Sequence, residues 1–167
     1  MNENYEIKKI KEILEEHEKR IKLLENMIPS SRSEVTPVYA GKVDFTKLAQ
    51  KVGISIEKIT ELFDIENDTL TLLKTLGEDE REKTKRISLT VLFGYKYSLG
   101  NERVLSKELK RNVAENRVPV NNFATYLNEL IPSLIRRIGK PKSPNTAYKL
   151  TPFGEAEARG IVKKLCE

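Results

Sequence analysis

From Ser133 to Thr151 the chain reads SLIRRI, GKPKSPN, TAYKLT. These are two short arms of strand character around a tip that holds Gly139, Pro141 and Pro144. Glycine and proline turn and stiffen such a tip, so the segment predicts a β-hairpin. Its first arm carries Arg136 and Arg137, its tip carries Lys140 and Lys142, and no acid lies between Ile131 and Thr151. A solubilising surface hairpin is the plainer alternative. Charge of one sign favours an arm that reaches a phosphate backbone.

A two-helix unit precedes the hairpin. Arg103-Val104-Leu105 reads as a short strand, with Ser106 as N-cap of a helix through Glu108–Val113 that turns Leu109 and Val113 inward. Asn116-Arg117-Val118-Pro119 reads as a turn, and a second helix is predicted from Val120 to about Ile131. At 100° per residue, Phe123, Ala124, Leu127, Leu130 and Ile131 share one arc, a core face. Asn121, Asn122, Thr125 and Glu129 occupy the opposite arc, with Tyr126 and Asn128 at its edges. Amides and hydroxyls near a helix start can hydrogen-bond base edges and phosphates, although an ordinary amphipathic helix has such a face too.

After the hairpin, Thr151 caps a further helix, Ala156–Leu165, with Pro152 at its first position and Glu155 at its positive end. With Tyr148, Leu150, Thr151 and Gly154 in place, residues 84–166 resemble the winged helix-turn-helix superfamily of prokaryotic DNA-binding regulators. Many of its members close the wing with a Tyr-x-Leu-Thr-x-x-Gly turn from strand to helix. The resemblance covers half of the chain and implies a basic winged helix domain whose recognition helix is Val120–Ile131. It implies that Asn121, Asn122, Thr125 and Tyr126 face a groove of duplex DNA. Arg136, Arg137, Lys140 and Lys142 would serve as wing or backbone contacts, and Lys107, Lys110 and Arg111 on the preceding helix would touch phosphates. No arginine lies on the exposed face of the recognition helix, so the strongest common base contact, bidentate arginine to guanine, is missing there.

Charge points to the same region. From Leu105 to Leu150 there are nine Lys/Arg and three acids, a net +6, against +5 for the whole chain. A phosphate-bearing partner would be drawn to that one part of the molecule.

The N-terminal half differs. Ile7, Leu14, Ile21 and Ile28 are seven apart, and Ile10, His17 and Leu24 form a second set offset by three. This is an a/d seam over residues 3–28. It suits an amphipathic helix docked on its own domain or a dimerising coiled coil, and isoleucine at three of the four a positions favours the coiled coil. His17 then sets register or partner, since a lone histidine lacks co-ligands for a metal. Pro29 stops the helix, and residues 29–43 read as a linker. Residues 44–76 read as a first helix-turn-helix-like unit. Leu48, Val52, Ile54, Ile59 and Leu62 are its apolar positions, with Ala49 at a close approach and Gly53 at the turn. A hairpin follows, in which Phe63 and Ile65, then Leu70 and Leu72, alternate around Glu66-Asn67-Asp68. Glu57 and Glu61 on its second helix would face phosphates unfavourably, which gives this unit a structural or protein-contact role. Residues 77–86 are a charge run, read as a linker or a first helical turn before the apolar stretch Ile87–Leu99.

The expected fold is therefore mainly α with small β-hairpins (α+β): a coiled-coil helix, a helix-turn-helix unit with hairpin, and a C-terminal winged helix. One histidine and one cysteine, Cys166, give no triad and no zinc set, and there is no Gly-rich phosphate loop. We expect no enzyme, no cofactor and no metal. No apolar run approaches a membrane span and no signal-peptide core is visible, so a cytoplasmic location is expected. The expected function is that of a homodimeric DNA-binding transcriptional regulator with duplex DNA as partner. The alternatives are a protein-interaction adaptor using the coiled coil and residues 44–76, or a chromatin- or partition-type binder without sequence preference.

Overall fold

A computed structural model of the chain describes residues 45–141 and 143–167. The heptad seam of Ile7, Ile10, Leu14, His17, Ile21, Leu24 and Ile28, the 29–43 linker and Lys142 lie outside the described residues. Among those described there are six helices and two small antiparallel sheets.

The chain enters through α1 (Thr46–Val52) and α2 (Ile56–Thr60). Gly53 ends α1 in the left-handed conformation at φ 79°, and its N–H donates to Ala49 O at 2.8 Å. Only glycine adopts that φ without strain. The second helix has just five residues. β1 (Phe63–Glu66) and β2 (Thr69–Leu72) pair in the register Phe63 with Leu72 and Ile65 with Leu70. Asn67 and Asp68 both have positive φ, 48° and 59°, as a two-residue hairpin turn of right-handed twist requires.

The charge run at 77–86 is the start of a long helix, α3 (Glu80–Ser98). Asp79 caps it by accepting the Glu82 N–H at 2.7 Å, and the Glu82 carboxylate reaches back to the Glu78 N–H at 2.9 Å. From Ile87 to Tyr95 every residue of α3 is buried. A helix apolar all round belongs in the middle of a core, and α3 packs against α1, β2, α4, α5, β5 and α6. Gly94 lets the hairpin come close, since a Cβ there would stand 2.8 Å from Leu70 Cδ1 and 3.1 Å from Phe63 Cε1.

β3 (Val104–Leu105), α4 (Ser106–Glu115), α5 (Phe123–Asn128), β4 (Ile135–Ile138), β5 (Ala147–Leu150) and α6 (Pro152–Cys166) complete the chain. The sheet order is β3-β5-β4, all antiparallel. Ser106 does not cap α4. It is the first helical residue, and its N–H donates instead to Thr146 O at 2.8 Å, tying the helix start to the approach to β5. The helix expected over Val120–Ile131 shortens to Phe123–Asn128. Asn121 and Asn122 stay in a turn, and Pro132 cannot sit in a helix interior because its ring clashes with the carbonyl four residues back. The shorter helix buries Phe123 and Leu127, with Leu130 buried just beyond it. Ala124, expected in the core, is exposed.

The two segments read as separate units, 44–76 and 84–166, share one core. Phe63, Leu70 and Leu72 join the same buried cluster as Phe93, Leu109 and Ile135. The junction is polar as well as apolar. Leu73 N–H donates to Leu62 O at 2.9 Å, so alternate residues of β2 face β1 and the N–H and C=O groups of Leu70 and Leu72 point to the open edge. Side chains satisfy all four. Leu70 N–H donates to Tyr95 Oη at 3.2 Å, and Leu72 N–H donates to Asn112 Oδ1 at 2.8 Å. Leu70 O accepts from Asn112 Nδ2 and from Arg111, each at 3.0 Å, and Leu72 O accepts from Asn116 Nδ2 at 2.9 Å. An unpaired strand edge is thus closed by α3 and α4.

Candidate nucleic-acid interface

The turn from β5 into α6 fixes the base of the second hairpin. Thr151 Oγ1 accepts the Gly154 N–H at 3.0 Å and donates to Ser133 O at 2.6 Å, while Thr151 N–H donates to Leu134 O at 3.0 Å. One threonine therefore caps α6 and clamps it to the residues that lead into β4. A Cβ on Gly154 would stand 1.8 Å from Leu134 O, so this position admits glycine alone.

β4 is an edge strand of the sheet. Ile135 is fully buried, whereas Arg136 and Arg137 are exposed. Arg136 lies opposite Lys149, two cations side by side across the strands. Arg137 lies opposite Tyr148, and its guanidinium donates to Asn128 Oδ1 at 3.1 Å, joining the hairpin to the end of α5. Lys140 is exposed at the tip. Arg136 and Lys140 have no ion-pair partner among the described residues.

On α5 and the turn before it, Asn121, Asn122 and Thr125 are exposed and Tyr126 is half-buried. Asn122 Nδ2 donates to Tyr126 Oη at 3.3 Å, which orders two of the four groups with respect to each other. Lys107 and Lys110 are exposed on α4. Arg111 is placed differently. Its guanidinium is half-buried and engages Glu108, Glu115, Thr71 Oγ1 and Leu70 O at 3.0–3.3 Å. It holds β2 to α4 rather than standing free for a phosphate.

Two further cations belong beside this surface. Arg81 and Lys85, one turn apart on α3, both bind the carboxylate of Glu129 just past α5, Arg81 through Nε at 2.8 and 3.0 Å. Hydrogen bonds from Lys85 and then Arg81 hold the Glu129 carboxyl below its ordinary pKa. The one acid at the end of α5 is therefore paired with cations of its own chain. The signal for these residues was the i, i+4 spacing of Arg81 and Lys85 within a charge run read as a linker or a first helical turn.

Away from the interface, Glu155 gathers Lys96 at 2.6 Å, Lys51 at 3.5 Å and the Tyr97 hydroxyl. Burial alone would raise the Glu155 pKa, but hydrogen bonds from Lys96 and Tyr97 outweigh it and the carboxyl is held low. Burial first, and the neighbouring Glu155 second, push the Tyr97 phenol well above its usual range. The cluster links α1, α3 and α6 beside a shallow cleft of about 240 Å³ lined by Lys51, Pro152, Glu155, Ala156 and Arg159.

Comparison with protein-family models, curated proteins and solved structures gives no match for this chain. Among the described residues no helix is long and apolar enough to cross a membrane, and no group of three or more His, Cys, Asp or Glu could hold a metal ion.

Proposed function

We propose that residues 84–166 act as a winged helix that binds duplex DNA. In this reading α5 with the turn before it is the element offered to a groove, and the β4–β5 hairpin is the wing that grips the backbone. The observation that carries the reading is the chain path: helix α3, strand β3, helices α4 and α5, then an edge hairpin returning through the centre of a β3-β5-β4 sheet into α6. That hairpin bears Arg136, Arg137 and Lys140 beside a polar, exposed face of Asn121, Asn122 and Thr125. The charge of +6 over 105–150 supplies a sequence-independent attraction for phosphates.

Amides and hydroxyls without an arginine give modest discrimination between bases, so affinity rests on the backbone more than on the sequence. A homodimer joined through residues 3–28 would present two such modules to two half-sites, the arrangement of a transcriptional regulator. Segment 44–76 serves as a buttress for α3 and α4. Titrating a labelled random duplex and a duplex enriched by selection, each at two salt concentrations, tests the reading. Binding to both that weakens steeply with salt supports it, and the ratio between them measures specificity. A chain that shifts no duplex at low salt contradicts it.

A further inference from the structure

The carboxylate of Glu129 is held between two cations of α3, Arg81 and Lys85. Arg81 reaches both its oxygens through Nε, its terminal nitrogen adds a contact at 2.8 Å, and Lys85 closes the site from the next turn of the same helix. A guanidinium and an ammonium aimed at one anion are a donor set that suits phosphate. The site is open to solvent on its Arg81 side, where 58% of the side chain is exposed, while Lys85 and Glu129 are 24% and 30% exposed. It also adjoins the face described above. Glu129 is the C-cap of α5, and Arg137 approaches Asn128, the residue before it, from the hairpin. Three cations from two elements therefore converge on two consecutive residues at the end of α5.

We propose that Arg81 and Lys85 form a phosphate-binding pair at the margin of the duplex-binding face, filled in the free protein by Glu129, which acts as a built-in competitor. The proposal rests on the duplex-binding reading and adds to it a device that sets affinity. When the backbone of a duplex arrives, a phosphate replaces the carboxylate on the two cations. The protein then gives up its own ion pair, which lowers affinity and the number of counterions released. Exposed ion pairs contribute little to folding, so Glu129 can be neutralised without unfolding the chain.

The test uses the full chain and a labelled random duplex, with affinity measured across a salt series. Glu129→Gln binds about five-fold tighter than the parent at about 0.15 M salt, and its logarithmic salt slope steepens by about 0.9, one more counterion released. Adding Arg81→Gln or Lys85→Gln to Glu129→Gln returns the slope to the parent's. Lys140→Gln is the control for the wing. If Glu129→Gln leaves the slope unchanged or weakens binding while Lys140→Gln still lowers the slope, the competitor proposal is overturned and duplex binding stands. If the parent binds no duplex at low salt, both fall.

Discussion

Gly154 and Gly160 lie on the same helix, and the same substitution should move stability in opposite directions. At Gly154 an alanine Cβ would sit 1.8 Å from Leu134 O, whereas Cβ contacts below 3.0 Å are essentially never seen. α6 and the chain entering β4 must then separate by more than an ångström. The obstacle is a backbone carbonyl that already accepts the Thr151 N–H, and the Thr151–Ser133 bond spans the same gap. Losing two hydrogen bonds costs about 2 kcal/mol, and the forced overpacking costs about 1–3 kcal/mol more. The better helix propensity of alanine returns about 1 kcal/mol, which leaves a net loss of about 3 kcal/mol. At Gly160 nothing lies within 4 Å of the added Cβ, so only the propensity gain of about 1 kcal/mol remains. Thermal and urea unfolding followed by far-UV circular dichroism should show Gly154→Ala melting about 10 °C below the parent and Gly160→Ala a few degrees above it. Equal melting temperatures for the two variants would refute the claim that the Thr151–Gly154 turn is set by backbone contact.

Further expectations concern the joint between the two segments and the polar cluster. Asn112→Leu strands the Leu72 N–H and removes a donor from Leu70 O, both buried, so urea unfolding should lose about 3 kcal/mol. Amide hydrogen exchange should speed up at Leu72 in that variant. The raised Tyr97 pKa means stability that is intact below the phenol's ordinary value of 10 and is lost as pH climbs above it. Thermal melts from pH 9 to 11 should therefore fall for the parent and stay flatter for Tyr97→Phe. The lowered Glu155 pKa works at the other end, with stability present above about pH 4.5 and lost as pH falls below it. Glu155→Gln should melt lower than the parent at neutral pH, with less further loss in acid.

Local chemistry made several elements readable in the sequence. Asn67-Asp68 between alternating apolar residues marks a hairpin, Gly53 marks a left-handed helix end, and Thr151-Pro152 marks a capped helix start, because each of these depends on a few adjacent residues. The error over Val120–Ile131 was one of extent. Helical phase correctly buried Phe123 and Leu127, but it overlooked that Pro132 forbids the last turn and that two adjacent asparagines favour a turn over a first helical turn. The role of 77–86 was harder to read, since charge suggested solvent, although Asp79 and Glu82 at capping-box spacing mark a helix start. At the candidate interface helical phase placed Thr125 outward on α5 but put the exposed Ala124 in the core, and it was the run of positive charge that marked Arg136, Arg137 and Lys140 on the β4–β5 hairpin. The role of Arg111 was not legible, because its partners Leu70 and Thr71 lie 41 and 40 residues away in sequence and nothing local announces them. Asn112 and Asn116 left a trace as polar residues on the inward stripe of Leu109 and Val113, a position where a polar side chain must have a specific buried partner.

The most direct test of duplex binding by the wing is the salt dependence of duplex affinity for the parent and for Arg136→Gln/Arg137→Gln/Lys140→Gln/Lys142→Gln. The expected result is a parent slope reduced by about 3.6, four contacts at about 0.9 each, with an unchanged circular dichroism spectrum. A quadruple variant that binds the duplex as tightly as the parent at physiological salt would contradict the account.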